Sequence, residues 1–392
     1  MLTIKVVFWI SLGIIFYTYI GYGLIISLVN CINRLFRHDE PIEMEYFEPT
    51  VTLVVAAYNE EDCIHQKIEN CLELDYPDEK LDIIFITDGS TDSSYNIISK
   101  YSRVRLLHLP ERRGKSAALN RAMRYVDTTL VIFCDANTIL GRDSIKMIVK
   151  HYSDPRIGGV SGEKRVLKQS DNDPAGEGEG FYWKYESWLK RMDSGFYSVV
   201  GAAGELFSLR TSLYSPIDDS VILDDFVISM NVALLGYRVV YEPLAYASEM
   251  PSENIREEQK RKVRISAGGF QAMVLLKEVF NIFKFPILGF QFISHRVLRW
   301  TIAPICLLLI FVLSGIVSLE ANDFWFSIFF LGQILFYVFA WLGHFFSKKR
   351  RMVKVFYIPY YFVFMNIAVV LGFWRFYRGA QSVLWEKARR VT

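Results

Sequence analysis

Residues 130–137 read LVIFCDAN, and this stretch decides the fold that we expect for the chain. Its apolar run is short and contains β-branched and aromatic residues, which predicts a fully buried parallel strand. The run ends in a carboxylate, Asp135, followed by an amide, Asn137. Because ligands of open α/β sheets bind at the carboxyl ends of the strands, both side chains are expected to face a crevice.

Asp135 and Asn137 have two interpretations. Two oxygen ligands one residue apart suit a hard cation such as Mg²⁺ or Mn²⁺ that also binds substrate phosphates. Alternatively, the carboxylate caps a following helix and the amide only turns the chain. These two residues alone do not distinguish a metal site from a structural role, and other parts of the sequence are needed to do so.

Composition places the chain among membrane proteins. Hydrophobic residues make up 52% of its 392 residues and aromatic residues 15%, and the apolar runs lie toward the two ends. The net charge is only +2, so we expect no nucleic-acid partner. Basic residues cluster beside the apolar runs, which indicates contact with membrane lipid. The five cysteines show no CxxC spacing, which argues against a zinc site or a disulfide scaffold.

Four apolar runs are candidate membrane segments. Residues 6–29 can cross a bilayer, and the basic residues behind them predict an N-terminus outside and a following domain in the cytoplasm. Residues 300–319 and 324–346 form a predicted hairpin, followed by the cytoplasmic marker KKRR at 348–351. The last run, 355–374, is long enough to cross, which leaves a basic tail outside. The alternative is an interfacial or re-entrant helix; on length we expect a crossing.

Between the apolar ends, strands alternate with helices, the pattern of a parallel α/β sheet. Strands are predicted at 51–56, 81–86, 104–109 and in the stretch from 130. The stretch 169–180, rich in Asp, Gly and Glu, is predicted as a mobile loop near the site. The expected fold class is therefore an α/β, Rossmann-like domain with N-terminal and C-terminal transmembrane helices.

Two strand ends and one basic loop carry the candidate chemistry. Asp88 ends the second predicted strand as Asp135 ends the fourth, and two such carboxylates repel unless a cation or hydrogen-bond donors lie between them. Lys115 follows Gly114 and suits a diphosphate, although a solvated loop is the simpler interpretation of each basic residue alone. The sequence lacks GxxxxGK[ST] and GxGxxG motifs, so neither a P-loop nor a dinucleotide site is expected.

In order and spacing, these motifs resemble those of the membrane-integrated family 2 glycosyltransferases, which include cellulose, chitin, hyaluronan and poly-N-acetylglucosamine synthases. The resemblance covers residues 50–271 and implies a GT-A domain. It implies that a nucleotide sugar is bound by Ala57, Tyr58, Asn59, Glu60, Asp88, Gly114, Lys115, Asn120, Asp135, Arg261 and Arg264. It assigns a divalent metal, Mg²⁺ or Mn²⁺, to Asp135 and Asn137, and the acceptor pocket to Gly201, Gly204 and Glu205.

The stretch VILDD at 221–225 resembles the family segment whose last carboxylate is the general base. Sugar transfer needs a base that takes the proton of the acceptor hydroxyl, and Asp224 could raise the pKa of Asp225 beside it. The alternative is a charged cap at the start of the helix from Phe226. With one base and no second carboxylate as nucleophile, a single displacement with inversion is the simpler expectation.

Two departures from the family pattern affect the expected product. Asn137 stands where a second acid is usual, so it offers an oxygen ligand without charge. Residues 261–265 read RKVRI where processive members have Gln-x-x-Arg-Trp, so Arg264 is kept and Ile265 replaces the aromatic platform for the acceptor sugar. Arg261 and Arg264 can still reach a diphosphate, or form a basic stripe at the membrane surface. Sugar transfer survives these changes, whereas long-chain processivity is put in doubt.

The sequence thus predicts an inverting membrane glycosyltransferase that moves a sugar from a nucleotide sugar to a growing cell-surface polysaccharide or glycan acceptor. A UDP-sugar is the favoured donor. Single-sugar transfer to a polyprenyl phosphate or another lipid acceptor is the alternative, and a non-enzymatic membrane subunit is less favoured. About four spans are few for a translocation channel, which leaves room for an oligomer or an export partner. We divide the chain into four parts: an N-terminal transmembrane helix and linker (1–49), a catalytic GT-A domain (50–250), interfacial amphipathic helices (251–295), and a C-terminal transmembrane region with a basic tail (296–392). The protein is expected in the inner or plasma membrane, with the catalytic domain in the cytoplasm.

Overall fold

The computed structural model describes residues 1–36, 47–167, 174–252, 254–321, 323–348 and 354–380. Within these ranges the strands are β1 (Val51–Ala57), β2 (Leu81–Asp88), β3 (Arg105–Leu109), β4 (Leu130–Asp135), β5 (Ile139–Leu140), β6 (Ile157–Val166), β7 (Leu206–Arg210) and β8 (Arg238–Glu249). They form one eight-stranded sheet in the order β3-β2-β1-β4-β7-β6-β8-β5.

Some helices of the described chain pack on the two faces of this sheet, and others form the candidate membrane spans. They are α1 (Leu2–Phe16), α2 (Tyr22–Phe36), α3 (Ile64–Leu72), α4 (Ser94–Ile98), α5 (Lys115–Ala122), α6 (Ser144–Val149), α7 (Pro174–Phe196), α8 (Asp224–Leu234), α9 (Ile255–Leu275), α10 (Pro286–Phe292), α11 (Leu298–Trp300), α12 (Ile302–Ala321), α13 (Phe324–Lys348) and α14 (Lys354–Tyr377). A π-helical turn, Tyr17–Gly21, joins α1 to α2, so that the two run on as one long helix.

The four strands predicted from the sequence are confirmed as the parallel half of the sheet. β1 pairs in parallel with β2 and β4, and β2 pairs in parallel with β3. All seven residues of β1 are buried, as are the first five of β4, which explains their unbroken apolar runs. β7 then runs antiparallel to β4, and β6 antiparallel to β7. The polar ends of β1, β2 and β4 therefore meet at one edge.

Alternating side chains of β1 enter two separate cores. Val54 and Ala56 pack on the face covered by α5 and α8, whereas Leu53 and Val55 pack on the face covered by α3 and α6. The first core extends to α9 and α10 through Ala272 and Phe292. Helices α9 and α10 thus share a hydrophobic core with the sheet, and this packing fixes the position of both helices relative to the strand ends.

Four helices in the described chain are long and apolar enough to cross a membrane, namely Leu2–Phe36, Ile302–Ala321, Phe324–Ser347 and Val355–Tyr377. They coincide with the four apolar runs of the sequence. Lys5 donates a 2.6 Å hydrogen bond to Asp323, which ties the start of α1 to the turn between α12 and α13. Which side of a membrane each end faces stays a prediction, and residues 349–351 of the basic run lie outside the described residues.

One loop prediction is wrong. Of the stretch 169–180, residues 169–173 lie outside the described chain, but from Pro174 onward the backbone is helical and begins α7. The glycines of this segment weaken its local helix preference, and contacts of α7 with distant parts of the chain outweigh that preference. Tyr185, for example, donates a 2.7 Å hydrogen bond to the carbonyl oxygen of Tyr19 in the first helix.

Candidate active site

A cavity of about 940 Å³ opens at the carboxyl ends of β1 and β4 and extends to the membrane helices. Its near end is lined by Tyr58, Lys115 and Asp135, and its far end by Tyr19 and Asn366. Ligands of open α/β sheets bind at this position. The volume is at the upper end of the usual range for ligand pockets, about 300 to 1,000 Å³.

Lys115 is the cation at the centre of the near end. Gly114 precedes it with a positive φ of 102°, a backbone conformation that glycine adopts without strain, and begins α5. The ammonium of Lys115 lies 2.7 Å from Asp135 Oδ1 and 3.5 Å from Asp224 Oδ2. Burial alone would lower the pKa of Lys115, but Asp135, Asp224 and Asp225 outweigh it, and the pKa is raised. The lysine is therefore held charged between the two carboxylate groups.

Asp224 and Asp225 form the first turn of α8 and face the same cavity. Burial raises the pKa of Asp225 to about 7, and the adjacent Asp224 charge adds to that effect, while Lys115 opposes it. Ser229 donates a 2.7 Å hydrogen bond to the backbone carbonyl of Asp225 one turn later. A carboxyl group with a pKa near neutrality can accept a proton during reaction, as a general base must.

The loop at 201–205 lies directly against this pair. At Gly201, φ is +82°, and an added Cβ would collide with the ring of Phe226. At Gly204, an added Cβ would stand 3.0 Å from Asp225 Oδ2. Lys164 binds Glu205 at 2.7 Å. Burial would raise the pKa of Glu205, but the Lys164 charge prevails and lowers it, so Glu205 faces the cavity as a carboxylate.

Helix α9 fixes the segment that leads to Asp224 and Asp225. The side-chain oxygen of Gln271 accepts a 3.0 Å hydrogen bond from Ile222 N, and its amide nitrogen donates at 2.9 Å to Ser220 O. On the opposite side, Ser116 of α5 donates to Val221 O at 2.9 Å. Three hydrogen bonds thus hold three consecutive residues, 220–222, ahead of the acidic pair.

The basic residues of α9 cover the cavity from above. Arg261 binds Glu258 at 3.0 Å and lies 3.9 Å from Glu249, which also pairs with Lys164. Arg264 lines the same cavity one turn later. Arg261 is therefore not simply part of a basic stripe at the membrane surface. It belongs to a network of ion pairs that runs through Glu249 and Lys164 to Glu205.

Oxygen donors at the near end fit a divalent cation. Asp135 and Asn137 line the cavity, and Asp224 Oδ2 is buried and, apart from its 3.5 Å ion pair with Lys115, accepts no hydrogen bond among the described residues. Carboxylate and amide oxygens are preferred ligands of Mg²⁺ and Mn²⁺. No group of three or more His, Cys, Asp or Glu side chains in the described chain is arranged to hold a metal alone. A cation here would complete its coordination with oxygens of a bound ligand.

The structure brings most of the sequence-predicted residues to this cavity: Tyr58, Glu60, Lys115, Asp135, Asn137, Gly204, Glu205, Asp224, Asp225, Arg261 and Arg264. Ala57, Asn59, Asp88, Gly114, Asn120 and Gly201 are not part of its lining. Asp88 is fully buried, and its carboxylate accepts hydrogen bonds from the backbone N–H groups of Arg113 and Gly114. Asp88 therefore fixes the backbone of the basic loop at Arg113 and Gly114 and does not line the cavity itself.

Asn120 lies away from the predicted nucleotide position. Its amide nitrogen donates to Ile217 O at 2.7 Å, and its oxygen accepts from the hydroxyl of Tyr214. The side chain lines a second cavity of about 470 Å³, together with Arg121. Its hydrogen bonds are used within the protein, so contact with a ligand in the main cavity would require breaking them.

A charged cluster at the far end escaped the sequence analysis. Glu186 of α7 is buried and pairs with Arg296 at 3.0 Å and with Arg299. Lys190, one turn further along α7, is 5% exposed and lines the same cavity. Aromatic side chains surround the cluster, namely Tyr182, Trp183, Tyr185, Tyr357 and Tyr361. The only sequence signal is that two basic residues, Arg296 and Arg299, directly precede the apolar run at 300–319.

The sheet order and the acidic site at its carboxyl edge define a GT-A-type glycosyltransferase domain. Residues 52–217 match the family model "Glycosyl transferase family 2". A mannosyltransferase from Pyrobaculum calidifontis, solved in complex with GDP-Man and Mn²⁺, superposes with a TM-score of 0.70 over 96% of this chain and 100% of that one. The two sequences are 21% identical, so the likeness concerns the fold.

Curated relatives are poly-β-1,6-N-acetyl-D-glucosamine synthases. The protein of Staphylococcus aureus strain MSSA476 is 31% identical over 242 residues, which cover 60% of this chain and 57% of that protein. The matched part therefore spans less than two thirds of that relative's length. The protein of Staphylococcus epidermidis is 26% identical over 345 residues, 82% of each chain. The chain is thus similar to polysaccharide synthases, and its residues 52–217 match a family 2 glycosyltransferase model.

Proposed function

We propose that the protein is an inverting membrane glycosyltransferase that moves a sugar from a nucleotide sugar to a glycan acceptor at the membrane. One observation carries the proposal: Asp225, Asp135 and Lys115 line a single cavity that also reaches the membrane helices. A donor and a membrane-borne acceptor could therefore meet beside the same acidic pair. The similarity to poly-β-1,6-N-acetyl-D-glucosamine synthases supports a role in polysaccharide synthesis.

In the proposed reaction, Asp225 takes the proton of the acceptor hydroxyl. The hydroxyl oxygen forms a bond to the anomeric carbon of the donor, and the bond from that carbon to the diphosphate oxygen breaks. The leaving nucleoside diphosphate carries the electron pair away. Lys115, held charged by its neighbouring carboxylates, would stabilise the diphosphate as negative charge develops on it. A single displacement of this kind inverts the anomeric configuration.

Asp135 and Asn137 are the proposed ligands of a divalent cation, Mg²⁺ or Mn²⁺. When bound, the cation would neutralise charge on the diphosphate and assist its departure. The Mn²⁺ in the complex of the P. calidifontis mannosyltransferase supports this choice of metal. Arg261 and Arg264, which cover the cavity from α9, are proposed to contact the nucleotide side of the donor.

A second candidate function is transfer of a single sugar to a lipid acceptor. Ile265 stands where processive members have a tryptophan, and it lines the cavity without an aromatic face on which an acceptor sugar could rest. The far end of the same cavity is formed by Tyr19 and by α14, where a lipid-linked acceptor could enter. The product distinguishes the two functions, since one is a polymer and the other a short, lipid-extractable glycan.

The experiment is product analysis with purified protein in lipid nanodiscs, Mg²⁺ or Mn²⁺, and a panel of radiolabelled UDP-sugars and GDP-mannose. We expect one donor to be turned over, and Asp225→Asn to reduce transfer by about 10² to 10⁴-fold, the range for loss of a general base. Asp218→Asn is the matched control, an exposed carboxylate earlier in the same segment.

The product decides among the alternatives. High-molecular-weight product would support a polysaccharide synthase, and a short lipid-extractable product would support single-sugar transfer. No nucleotide release with any donor would contradict the proposal and favour a non-enzymatic subunit. Product with the anomeric configuration of the donor would contradict the single displacement, and full activity of Asp225→Asn would remove the assignment of the base.

A further inference from the structure

The far end of the cavity has an excess of positive charge. Three cationic side chains, Lys190, Arg296 and Arg299, face one carboxylate, that of Glu186. Burial would raise the pKa of Glu186, but the two arginines outweigh it and hold the pKa well below its usual range. Glu186 is therefore an anion already shared by both arginines. The charge of Lys190 is attracted only over longer distances, by Glu205, Glu163 and Glu186, and forms no ion pair within 4.0 Å among the described residues.

Lys190 differs from the other buried lysines of the described chain that face this cavity. Lys115 and Lys262 each have a carboxylate within 4.0 Å, and no ion pair within that distance joins Lys190 to a carboxylate among the described residues. Burial lowers the pKa of Lys190, and the charge of Arg296 lowers it further, while the more distant Glu205, Glu163 and Glu186 oppose both effects without cancelling them. A buried ammonium group costs free energy unless an anion compensates it. The position thus calls for an anionic ligand.

This cationic end adjoins both the membrane helices and an apolar wall. Arg296 and Arg299 directly precede α12, one of the membrane-crossing candidates. Arg299 donates at 3.2 Å to the hydroxyl of Tyr185, which in turn donates to the backbone of the first helix. Helix α14 contributes an apolar wall to the same cavity, formed by Ile358, Phe362, Met365 and Val369. A ligand that has both a phosphate and a lipid chain fits this combination.

We propose that Lys190, together with Arg296 and Arg299, binds the phosphate of a lipid-linked acceptor whose apolar chain lies along α14. The acceptor's reactive hydroxyl would then extend through the same cavity toward Asp225. The inference rests on the proposed function for the reaction, but the binding site itself does not require turnover. It gives the acceptor a chemical class: a sugar carried on the phosphate or diphosphate of a long-chain isoprenoid alcohol, with a hydroxyl of that sugar as the nucleophile.

The test measures binding to the protein in nanodiscs of phosphatidylcholine, with EDTA present so that no metal at the donor site attracts a diphosphate. The probes are farnesyl diphosphate, farnesol and inorganic pyrophosphate. We expect farnesyl diphosphate to bind more tightly than either fragment, because phosphate and chain are both needed. Lys190→Gln should weaken its binding about tenfold or more, as loss of a buried charge partner does. Lys184→Gln, an exposed lysine on the same helix, should leave the affinity unchanged.

Two further measurements separate binding from a structural role. Lys190→Arg keeps the charge and should retain most of the affinity. Lys190→Gln removes a buried charge that has no ion pair among the described residues and only a distant contact, 5.9 Å, with the Trp183 ring, so its melting temperature without ligand should stay equal to that of the native protein or rise. A lower melting temperature with unchanged affinity for farnesyl diphosphate would overturn the proposal in favour of a structural lysine.

The probes also distinguish the possible sources of the phosphate. Equal binding of pyrophosphate and farnesyl diphosphate would overturn the lipid assignment and indicate a site for a free anion. Equal binding of farnesol would overturn the role of the charges. If phosphatidylglycerol in the nanodiscs abolishes farnesyl diphosphate binding, the site takes bulk anionic lipid and the acceptor assignment fails. Because none of these assays includes a donor, their outcome is independent of whether sugar transfer is observed.

Discussion

At the residue scale, the site depends on how four buried or half-buried ionisable groups share one small volume. Asp135, Asp224 and Asp225 surround a single ammonium group, that of Lys115. Burial is the largest contribution that raises the pKa of Asp135 and of Asp225 alike, and the carboxylates also repel one another. Lys115 opposes this at both positions. The protonation of Asp225 is therefore sensitive to any change of charge nearby.

The pKa of Asp225, raised to about 7, predicts a pH dependence of sugar transfer. A general base acts in its deprotonated form, so kcat should rise as the pH increases through about 7 and fall about tenfold per pH unit well below it. The measurement is the initial rate of nucleotide release between pH 5 and 9 at saturating donor and metal. A rate that is constant from pH 5 to 8 would contradict the assignment of Asp225 as the base.

Lys115→Gln tests the coupling between these groups. Without the ammonium, the charged form of Asp225 loses its favourable neighbour, so the apparent pKa in the rate profile should move above 7. The rate at pH 7 should also fall, because a cation that stabilises the leaving diphosphate is lost. The measurement is the pH profile of Lys115→Gln beside that of the native protein. A lower rate with an unshifted profile would mean that the two groups are not coupled.

At the scale of elements, α9 connects the membrane side of the molecule to the reacting groups. One part of the helix carries Arg261 and Arg264 over the cavity. Another part presents Gln271 to the backbone of residues 220 and 222, just ahead of the acidic pair. Gly268 lies between them, where an added Cβ would approach Ile222 and Leu223 within 3.0 Å. The helix therefore positions both the donor side and the proposed base.

Gln271→Ala should lower kcat and leave the donor KM nearly unchanged. The substitution removes two hydrogen bonds that fix the segment before Asp224, each contributing about 1 kcal/mol, so a loss of about tenfold in rate is expected. Gln271 acts here as a positioning residue, since it touches the backbone and not the reacting atoms. Steady-state kinetics with the donor varied gives both constants.

The control for this variant is Val274→Ala, an exposed position on the same helix. It changes α9 without touching the segment at 220–222 and should behave as the native protein does. If Gln271→Ala raises the donor KM while kcat stays constant, α9 affects donor binding and not the position of the base. If both variants lose activity equally, the effect comes from destabilising the helix.

At the scale of the whole molecule, short-range sequence patterns predicted one half of the architecture and missed the other. Asp135 and Asp225 each follow an apolar run, and that local signal predicted where they would lie. β6 has the sequence IGGVSGEKRV, whose glycines weaken the strand pattern. Those glycines serve close packing, since a Cβ at Gly162 would stand 2.8 Å from the carbonyl oxygen of Ala245. The antiparallel half of the sheet was not predicted for this reason.

The cationic end of the cavity was missed because its parts are distant in sequence. Glu186 and Arg296 are separated by 110 positions, and no local periodicity connects them. Each of them is unremarkable in its own segment: an acid within a helix and a basic residue before an apolar run. Only packing of α7 against the segment that leads into the membrane helices creates the cluster. Long-range contacts of this kind leave no pattern in a single sequence.

The same long-range packing bears on the last apolar helix, for which the sequence favoured a crossing. Gly372 of α14 lies so close to α9 that an added Cβ would stand 2.9 Å from the backbone nitrogen of Ala267. Phe373 then packs on Phe270 with ring centroids 5.2 Å apart. Phe270 is next to Gln271, which binds the segment ahead of the proposed base. The end of α14 is therefore about one helix diameter, roughly 10 Å, from the catalytic segment.

A bilayer core is about 30 Å thick, so a helix that ends beside α9 should not emerge on the opposite membrane surface. We therefore expect the C-terminal tail on the same side as the catalytic domain, with α14 lying obliquely at the membrane surface. The basic residues of the tail then agree with the positive-inside rule, which a crossing would violate. The prediction is tested with single cysteines in a variant that lacks the native exposed Cys31.

Thr392→Cys reports on the tail, Ser99→Cys on the catalytic domain, and Glu320→Cys on the end of α12, next to its connection with α13. Ser99 and Glu320 are exposed. Intact cells are treated with a membrane-impermeant maleimide, and permeabilised cells show that every cysteine can react. We expect Thr392→Cys to stay unlabelled in intact cells together with Ser99→Cys, while Glu320→Cys is labelled. Labelling of the tail together with Glu320→Cys would show that α14 crosses the membrane and that its packing on α9 does not decide its orientation.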